Sequence, residues 1–570
     1  MPEVEYRPSI DGLRAIAVLA VLVFHLNHRW LPGGFFGVDI FFVISGYLIT
    51  SIILRDCERG SFSFGKFYQR RIARLLPAFV AVAVVTIAGA ALIYSPQDLA
   101  STGATLSAAA ASVANLKFLL QGNYFALSPD SQPFLHCWSL SVEEQFYLLF
   151  PAAVFLMYRR AGKLLIGLFA VSFTCWIAMT PEWAFYLLPA RAWELLVGSM
   201  VAMGWGRGLR LPYAGLALIA ISFVAGRYAI LPVAGTALLL LSGNVGALAS
   251  GPLVLVGRMS YSLYLWHWPI FSLVDYQLYW QPLLVRLALK VVLSFGAAAA
   301  CHSFIERPGR TFLNQPAKRR LAFAVLAGST AILVPLGIVI RNANYVNADA
   351  RAVRNGGQRF NSTGKNGSIV LMGDSNGSMY GKLATEIARE RDLRLSVISV
   401  EAGDPLPRSV GANPQLWWDS LAVVRREKPD FLLLICNWNK LQNDHDRLAV
   451  AVRELKPFAH QIVLVTQPPV LPENASREAI REGNRPPFRE DPGEHAVRVL
   501  HNELVKRAED ENVRVVDIEP LFSGKDGEIR FADEHRTLLY QDRDHLSAAG
   551  ARLVKPQLLR AMADSLTATR

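Results

Sequence analysis

Eleven apolar stretches of spanning or near-spanning length run through the first 341 residues of this chain. No other feature restricts the fold as much, because a helix of about 20 apolar residues crosses the roughly 30 Å hydrocarbon core of a bilayer. The stretches fall near 9–28, 35–54, 76–95, 139–158, 164–180, 184–204, 211–226, 229–249, 253–275, 284–305 and 321–340, those within 211–249 being short. The expectation is a polytopic α-helical membrane domain of 10–11 transmembrane helices over residues 1–341. A formal net charge of +12 would suggest nucleic acid in a soluble protein. Here the basic residues fall in short gaps between apolar runs: Arg55, Arg59, Lys66, Arg70, Arg71 and Arg74; then Arg159, Arg160 and Lys163; then Arg207 and Arg210; then Arg307, Arg310, Lys318, Arg319 and Arg320. All lie on one side if the N-terminus is cytoplasmic, whereas Lys117 is the only basic residue of 96–136. The charge is therefore read as topology, with lipid and not nucleic acid as its partner. An odd number of spans then puts everything after residue 341 outside the cytoplasm. The first run reads as an uncleaved span, not a signal peptide. Cys57, Cys137, Cys175, Cys301 and Cys436 form no CxxC pair, which argues against a zinc site or a disulfide framework.

The first span is not purely apolar. DGLRAIAVLAVLVFH, residues 11–25, carries Asp11, Arg14 and His25. Arg14 and His25 are about three helical turns apart and project within about 20° of each other. Asp11, three residues before Arg14, shares that face and can pair with it. An ionisable stripe on a membrane helix usually faces a polar cavity. Arg71 and Arg74, at i and i+3, could clamp phosphate bidentately, or could simply belong to the basic boundary cluster with Arg70. In FFVISGYLI, residues 41–49, Ser45 and Gly46 suit close helix contact. HCWSLSVEEQFYLLFP brings Glu143 and Glu144; adjacent carboxylates cannot face the same way, so only one enters a cavity, and Glu143 is the catalytic candidate. Arg191 and Glu194 form an i,i+3 pair, and Tyr264 and His267 lie in SYSLYLWHWPIF.

Residues 342–366, rich in Asn, Gly, Arg and Ser, read as a linker. From 367 to 570, strand-like runs (SIVLMGDS, LRLSVISVEAG, PDFLLLICNWN, HQIVLVTQPPV, VRVVDIEP) alternate with helical stretches, which predicts an α/β domain with a mostly parallel sheet. Such sheets gather their sites at the carboxyl ends of the strands. GDSNGS places Ser375 after a strand and at a helix N-terminus, as a nucleophile or as an N-cap. DRDHLSAAG supplies Asp542 and His545, with the spacing for a carboxylate to orient an imidazole that takes the serine proton. Asp544 fits that spacing poorly. Gly403 and Asn437 follow two other strands, where a backbone N–H and a side-chain amide could form an oxyanion hole; Asn439 competes for the amide role.

Taken in order, the Arg14-to-His25 spacing, FFVISGYLI, the Arg71/Arg74 pair, WSLSVEEQFY, YSLYLWHWP and the ERP at 306–308 resemble the acyltransferase 3 family. The order Ser375, Gly403, Asn437, Asp542–His545 resembles the SGNH (GDSL-like) hydrolase fold, although LICNWN departs from the usual GxND. The first resemblance implies that acetyl-CoA enters from the cytoplasm, with Arg14, Arg71 and Arg74 on its phosphates or carbonyls and His25 as base or transient acyl carrier. The fusion resembles bacterial O-acetyltransferases of surface polysaccharides. It implies an inner-membrane enzyme with a periplasmic SGNH domain and a polysaccharide or lipid-linked glycan acceptor, typically lipopolysaccharide O-antigen, without a metal. Peptidoglycan, a secreted oligosaccharide or a longer acyl donor stay open. So do two other classes, a membrane-anchored glycan esterase and a transporter with an outer binding domain.

Overall fold

The computed structural model describes residues 6–121, 131–156, 160–344, 350–409, 413–442, 444–475, 479, 481 and 487–566. The chain divides into two compact units, one of residues 1–93 and 101–340, the other of 94–100 and 341–570. Arg159 of the second basic cluster lies outside the described residues.

The first unit is helical. Six of its helices carry most of the site, here α1 Pro8–Leu26, α2 Gly37–Glu58, α3 Phe64–Ile93, α4 Cys137–Leu156, α5 Leu188–Ala202 and α6 Ser260–Gln277. Among the described residues, six helical segments are long and apolar enough to cross a membrane: Pro8–Leu26, Gly34–Glu58, Phe64–Ile93, Ala161–Ala178, Leu283–Leu313 and Pro316–Asn344. The other expected spans also form helices, of 12–20 residues.

Several boundaries differ from expectation: 184–204 is broken at Leu187, and the helix within 229–249 ends at Leu241. The third span begins at Phe64, twelve residues before its apolar run, because the segment bearing Arg71 and Arg74 continues the same helix. The stretch 253–275 is two helices, Gly251–Arg258 and Ser260–Gln277, broken at Met259. Residues 96–136, between two expected spans, contain the helices Pro96–Ala110 and Ala114–Gln121.

The core of this unit is aromatic and aliphatic, with Phe42, Phe118, Phe134 and Trp138 buried in one cluster. Helices α2 and α5 approach closely through glycine. A Cβ on Gly46 would fall 1.8 Å from the Leu195 carbonyl oxygen, and one on Gly198 would fall 1.9 Å from that of Val43. Small residues permit such contact, since bilayer lipid supplies no hydrophobic drive between helices.

The second unit carries a six-stranded sheet in the order β1-β3-β2-β4-β5-β6, with β1 Gln358–Phe360, β2 Ser368–Gly373, β3 Arg394–Ser399, β4 Phe431–Ile435, β5 Gln461–Val465 and β6 Val513–Val516. All neighbours are parallel except β1, which lies antiparallel on β3. Strands β2, β4 and β5 are buried throughout, as expected of a sheet covered on both faces. The expected linker is thus partly structure: the first unit's last helix runs on to Asn344, and 358–360 adds an edge strand. Residues 345–349 lie outside the described residues.

Candidate active site

In the first unit, Arg14 and His25 lie on one unbroken helix, α1. Arg14 pairs with Asp11 at 3.6 Å, as their spacing predicted. Three cavities follow α1 from its first turns to its last. A mouth of about 1080 Å³ is lined by Arg7, Arg14, Arg74, Arg258, Arg307 and Arg310, with Asp11 and Glu306 among its acidic residues. A cavity of about 70 Å³ shares Arg14, Leu48 and Arg74 with it and adds Arg71, Ser45, Glu143, Tyr147 and Tyr264. A chamber of about 50 Å³ then holds His25, Asp39, His136, Trp138, Arg191 and Tyr264. The inner cavity and this chamber share only Val38 and Tyr264.

The adjacent carboxylates diverge. Glu143 faces the cavity and accepts hydroxyl hydrogen bonds from Ser45 and Tyr147, whereas Glu144 accepts from Ser112. Ser45 is therefore a polar group of the site, while Gly46 next to it serves helix contact. Arg71 lies over the rings of Phe67 and Tyr147, at 5.9 and 5.7 Å, so its guanidinium is stacked as well as cavity-lining.

His25 does not act alone. Its Nδ1 is 3.1 Å from His267 Nε2, the two rings are nearly parallel at 11°, and Trp268 meets His25 edge-on at 4.5 Å. His136 lies edge-on to His267 at 5.7 Å. The Tyr264 hydroxyl bonds Ser139 Oγ at 2.7 Å and donates to the His136 carbonyl at 3.1 Å, which fixes the ring between cavity and chamber. Arg191 pairs with Glu194 at 2.9 Å, as its i,i+3 spacing allowed, and also reaches Asp39 at 3.4 Å. Sequence reading left His136 and Asp39 out of the site. Asp39 lies in a different helix, far from Arg191 in sequence, so no local spacing marks the contact.

In the second unit, Ser375, Gly403 and Asn437 all follow the carboxyl ends of the adjacent strands β2, β3 and β4. This is the place such sheets offer, at the switch in strand order. The N-cap role falls to Asp374, whose side chain accepts from Asn376 N at 2.9 Å. Half-buried Ser375 is thus not the cap. The other oxygen of Asp374 accepts from Asn437 N at 2.9 Å and pairs with Lys440. This buried carboxylate ties the Ser375 turn to the end of β4, and no local spacing marks Lys440's part in it.

Asn437 turns its carbonyl end to Asn439 N, leaving its NH2 end opposite, while exposed Asn439 has its own oxygen 3.1 Å from His501 Nδ1. Of the two residues, Asn437 is the one whose main-chain N–H bonds the residue preceding Ser375. Gly403 departs from expectation: its N–H donates to the Val400 carbonyl at 3.0 Å and is spent in the turn. A Cβ there would lie 2.5 Å from Leu416 Cδ2, so tight packing accounts for the glycine.

His545 Nδ1 lies 2.9 and 3.0 Å from the two Asp542 oxygens. Asp544 also reaches it, at 3.1 Å, despite the spacing. The next residue, Leu546, donates to Met379 Sδ, which holds this segment against the helical turn that starts at Ser375. His545 Nε2 is buried without a hydrogen-bond partner, so it is the open atom of the pair. Burial opposes charge on this imidazole, but the hydrogen bonds and charges of Asp542 and Asp544 outweigh it and push the pKa up to about 11. Ligand atoms of Asp542, Asp544 and His545 lie within 4.8 Å of one another, close enough for a cation, but the Nδ1 that would bind it is already held by the carboxylates.

Comparison with known proteins agrees with this division. Residues 7–303 match the acyltransferase domain family, and residues 344–560 match the SGNH domain that occurs fused to such domains. Among curated relatives, the chain is similar to the peptidoglycan O-acetyltransferase OatA of Listeria monocytogenes, 32% identical over 407 residues, which cover 61% of this chain and 65% of that protein. It is similar to the O-acetyltransferase OatA of Staphylococcus aureus strain MRSA252, 31% identical over 387 residues, 59% of this chain and 63% of that one. The matched part is thus just under two thirds of either relative's length. A solved periplasmic domain of a Salmonella Paratyphi A lipopolysaccharide acetyltransferase matches at 16% identity and TM-score 0.29, over 39% of this chain and 90% of that one. With the family matched over more than half of its length, the chain belongs to the acyltransferase domain family, its membrane half followed by a fused SGNH domain.

Proposed function

We propose that this chain is a membrane O-acetyltransferase. It takes an acetyl group from cytoplasmic acetyl-CoA and delivers it to a sugar hydroxyl of a cell-surface glycan, lipopolysaccharide O-antigen, outside the inner membrane. The observation that carries this reading is the course of α1, with Arg14 in an arginine-rich mouth near one end and His25 in a small chamber near the other. The two are roughly 16 Å apart by helical rise, comparable to an extended pantetheine arm. The mouth is of cofactor-pocket size. Arg14, Arg71 and Arg74 would hold the phosphates and carbonyls of the donor, Arg through its bidentate fork. Glu143 would face the pantetheine arm in the cavity between.

The thioester reaches His25 past Tyr264. An accepting hydroxyl attacks the thioester carbonyl carbon, its proton goes to His25, the C–S bond breaks, and His25 returns the proton to the leaving thiolate. In the SGNH domain, Ser375 Oγ attacks the carbonyl carbon of that ester, and the first hydroxyl leaves with a proton relayed by His545. Ser375 carries the acetyl group as an acyl-enzyme until the sugar hydroxyl attacks and the serine regains its proton through His545. His545 takes the serine proton and Asp542 holds the imidazole. Asn437 is the side-chain donor for the oxyanion, and the Gly403 N–H serves there only if it leaves the Val400 carbonyl.

The Listeria relative, a peptidoglycan O-acetyltransferase, favours a second acceptor, peptidoglycan. Acetyl content of both polymers, purified from cells carrying wild type, His25→Ala or Ser375→Ala at matched membrane expression, tests the reading. Loss in both variants is expected, and the polymer that loses acetyl is the acceptor. Loss with His25→Ala alone would make Ser375 accessory, and full acetylation in both would sink the mechanism.

A further inference from the structure

We infer that His267 is a positioning residue for acetyl transfer. It holds His25 in the tautomer whose Nε2 is the unprotonated, proton-accepting nitrogen. The inference rests on the reading of His25 as the base. His267 is fully buried on α6, and its Nδ1 lies 2.6 Å from the Tyr264 carbonyl oxygen. A carbonyl oxygen only accepts, so His267 Nδ1 carries the hydrogen. In neutral imidazole the other nitrogen then has the lone pair. That nitrogen, Nε2, is the one 3.1 Å from His25 Nδ1. The contact is a hydrogen bond only if His25 Nδ1 is the donor, which leaves His25 Nε2 as the base.

The surroundings keep this alignment. The two imidazoles lie at 11° to each other, Trp268 stands edge-on to His25, and His136 and Phe271 stand edge-on to His267. Neither ring can turn without displacing an aromatic neighbour. The logic is that of Asp542 and His545, with a difference of charge. There a carboxylate orients the base; here a second imidazole does, itself anchored by a main-chain carbonyl. A neutral partner avoids a formal negative charge in an apolar interior. When His25 takes the hydroxyl proton on Nε2, its Nδ1–H bond to His267 becomes charge-assisted and steadies the imidazolium. Returning that proton to the CoA thiolate restores the starting tautomer, so the cycle closes with no net change at either histidine.

The test is CoA release from acetyl-CoA by the purified full-length protein in detergent, water or a soluble sugar supplying the accepting hydroxyl. His267→Leu should lower kcat about 100-fold, at the lower end of what general base catalysis contributes, with KM for acetyl-CoA within about twofold. His267→Gln, whose Oε1 can accept from His25 Nδ1, should recover at least about tenfold of that loss. A leucine variant that keeps wild-type kcat overturns the inference. So does a glutamine variant no better than leucine at matched melting temperature, or a rise in KM in place of the fall in kcat. If the leucine variant does not fold, His267→Met takes its place in the comparison with glutamine. His25→Ala separates the two claims: if it still releases CoA at the wild-type rate, the reading of His25 itself fails. If it is inactive while His267→Leu is not, only the role of His267 falls.

Discussion

Asp374 and Ser375 divide two tasks that the GDS motif leaves merged. The aspartate caps the turn and binds Asn437 N and Lys440, so the serine hydroxyl is not needed for the backbone. His545 shows the opposite tendency, since two carboxylates crowd one nitrogen and raise its pKa to about 11. A base held in its charged form is inactive until the proton leaves, so ester turnover by this domain should rise with pH from neutrality upward. Asp544→Asn removes one of the carboxylates that raise the value. Its pH–rate profile should move to lower pH, with a several-fold gain at pH 7, read by p-nitrophenyl acetate hydrolysis with the full-length protein. An unmoved profile would mean that Asp544 does not hold that proton. The residues of this pair were legible because three positions in one loop carry them. The partners of His25 were not. His267 is 242 residues away, on another helix, and no local spacing links the two; nor does any spacing mark Asp39, which lines the same chamber.

Helix α2 shows how one element serves both packing and chemistry. Along it, Asp39 lines the outer chamber, Ser45 bonds Glu143, and Gly46 rests on the backbone of α5. Gly198→Ala would place a methyl 1.9 Å from the Val43 carbonyl oxygen, a backbone atom that cannot swing aside. The helices must separate, at a cost of about 1–3 kcal/mol. The melting temperature in detergent should fall, and activity should fall with it because Asp39 and Ser45 move as well. A variant of unchanged melting temperature would show that α2 and α5 are not held at that distance. Apolar runs located most helices, but they understate those that begin in polar sequence. Hydrophobicity alone starts α3 at its apolar part and omits the turns bearing Arg71 and Arg74. Likewise β1 is three residues whose pattern carries no strand signal; its place comes from pairing with β3, a tertiary contact.

The whole molecule is two units with separate cores, and each change above should report on one of them. Calorimetry of the full chain should show Asp374→Asn lowering one transition, by about 3 kcal/mol for removing a buried carboxylate charge from its half-buried lysine partner, while Gly198→Ala lowers the other. A single transition shifted alike by both variants would mean that the units unfold together. The boundary between the inner cavity and the His25 chamber, where Val38 and Tyr264 line both, also bears on the cell's energy economy. A membrane that stores a proton gradient tolerates no open water column, yet a donor on one face must meet chemistry near the other. Under the proposed function, a partition at Tyr264, whose hydroxyl is held by Ser139 and the His136 carbonyl, would let an acyl group approach His25 while keeping the membrane electrically tight. Shortening that side chain, as in Tyr264→Ala, should therefore show first as proton leak in sealed vesicles, before any effect on the glycan is measured.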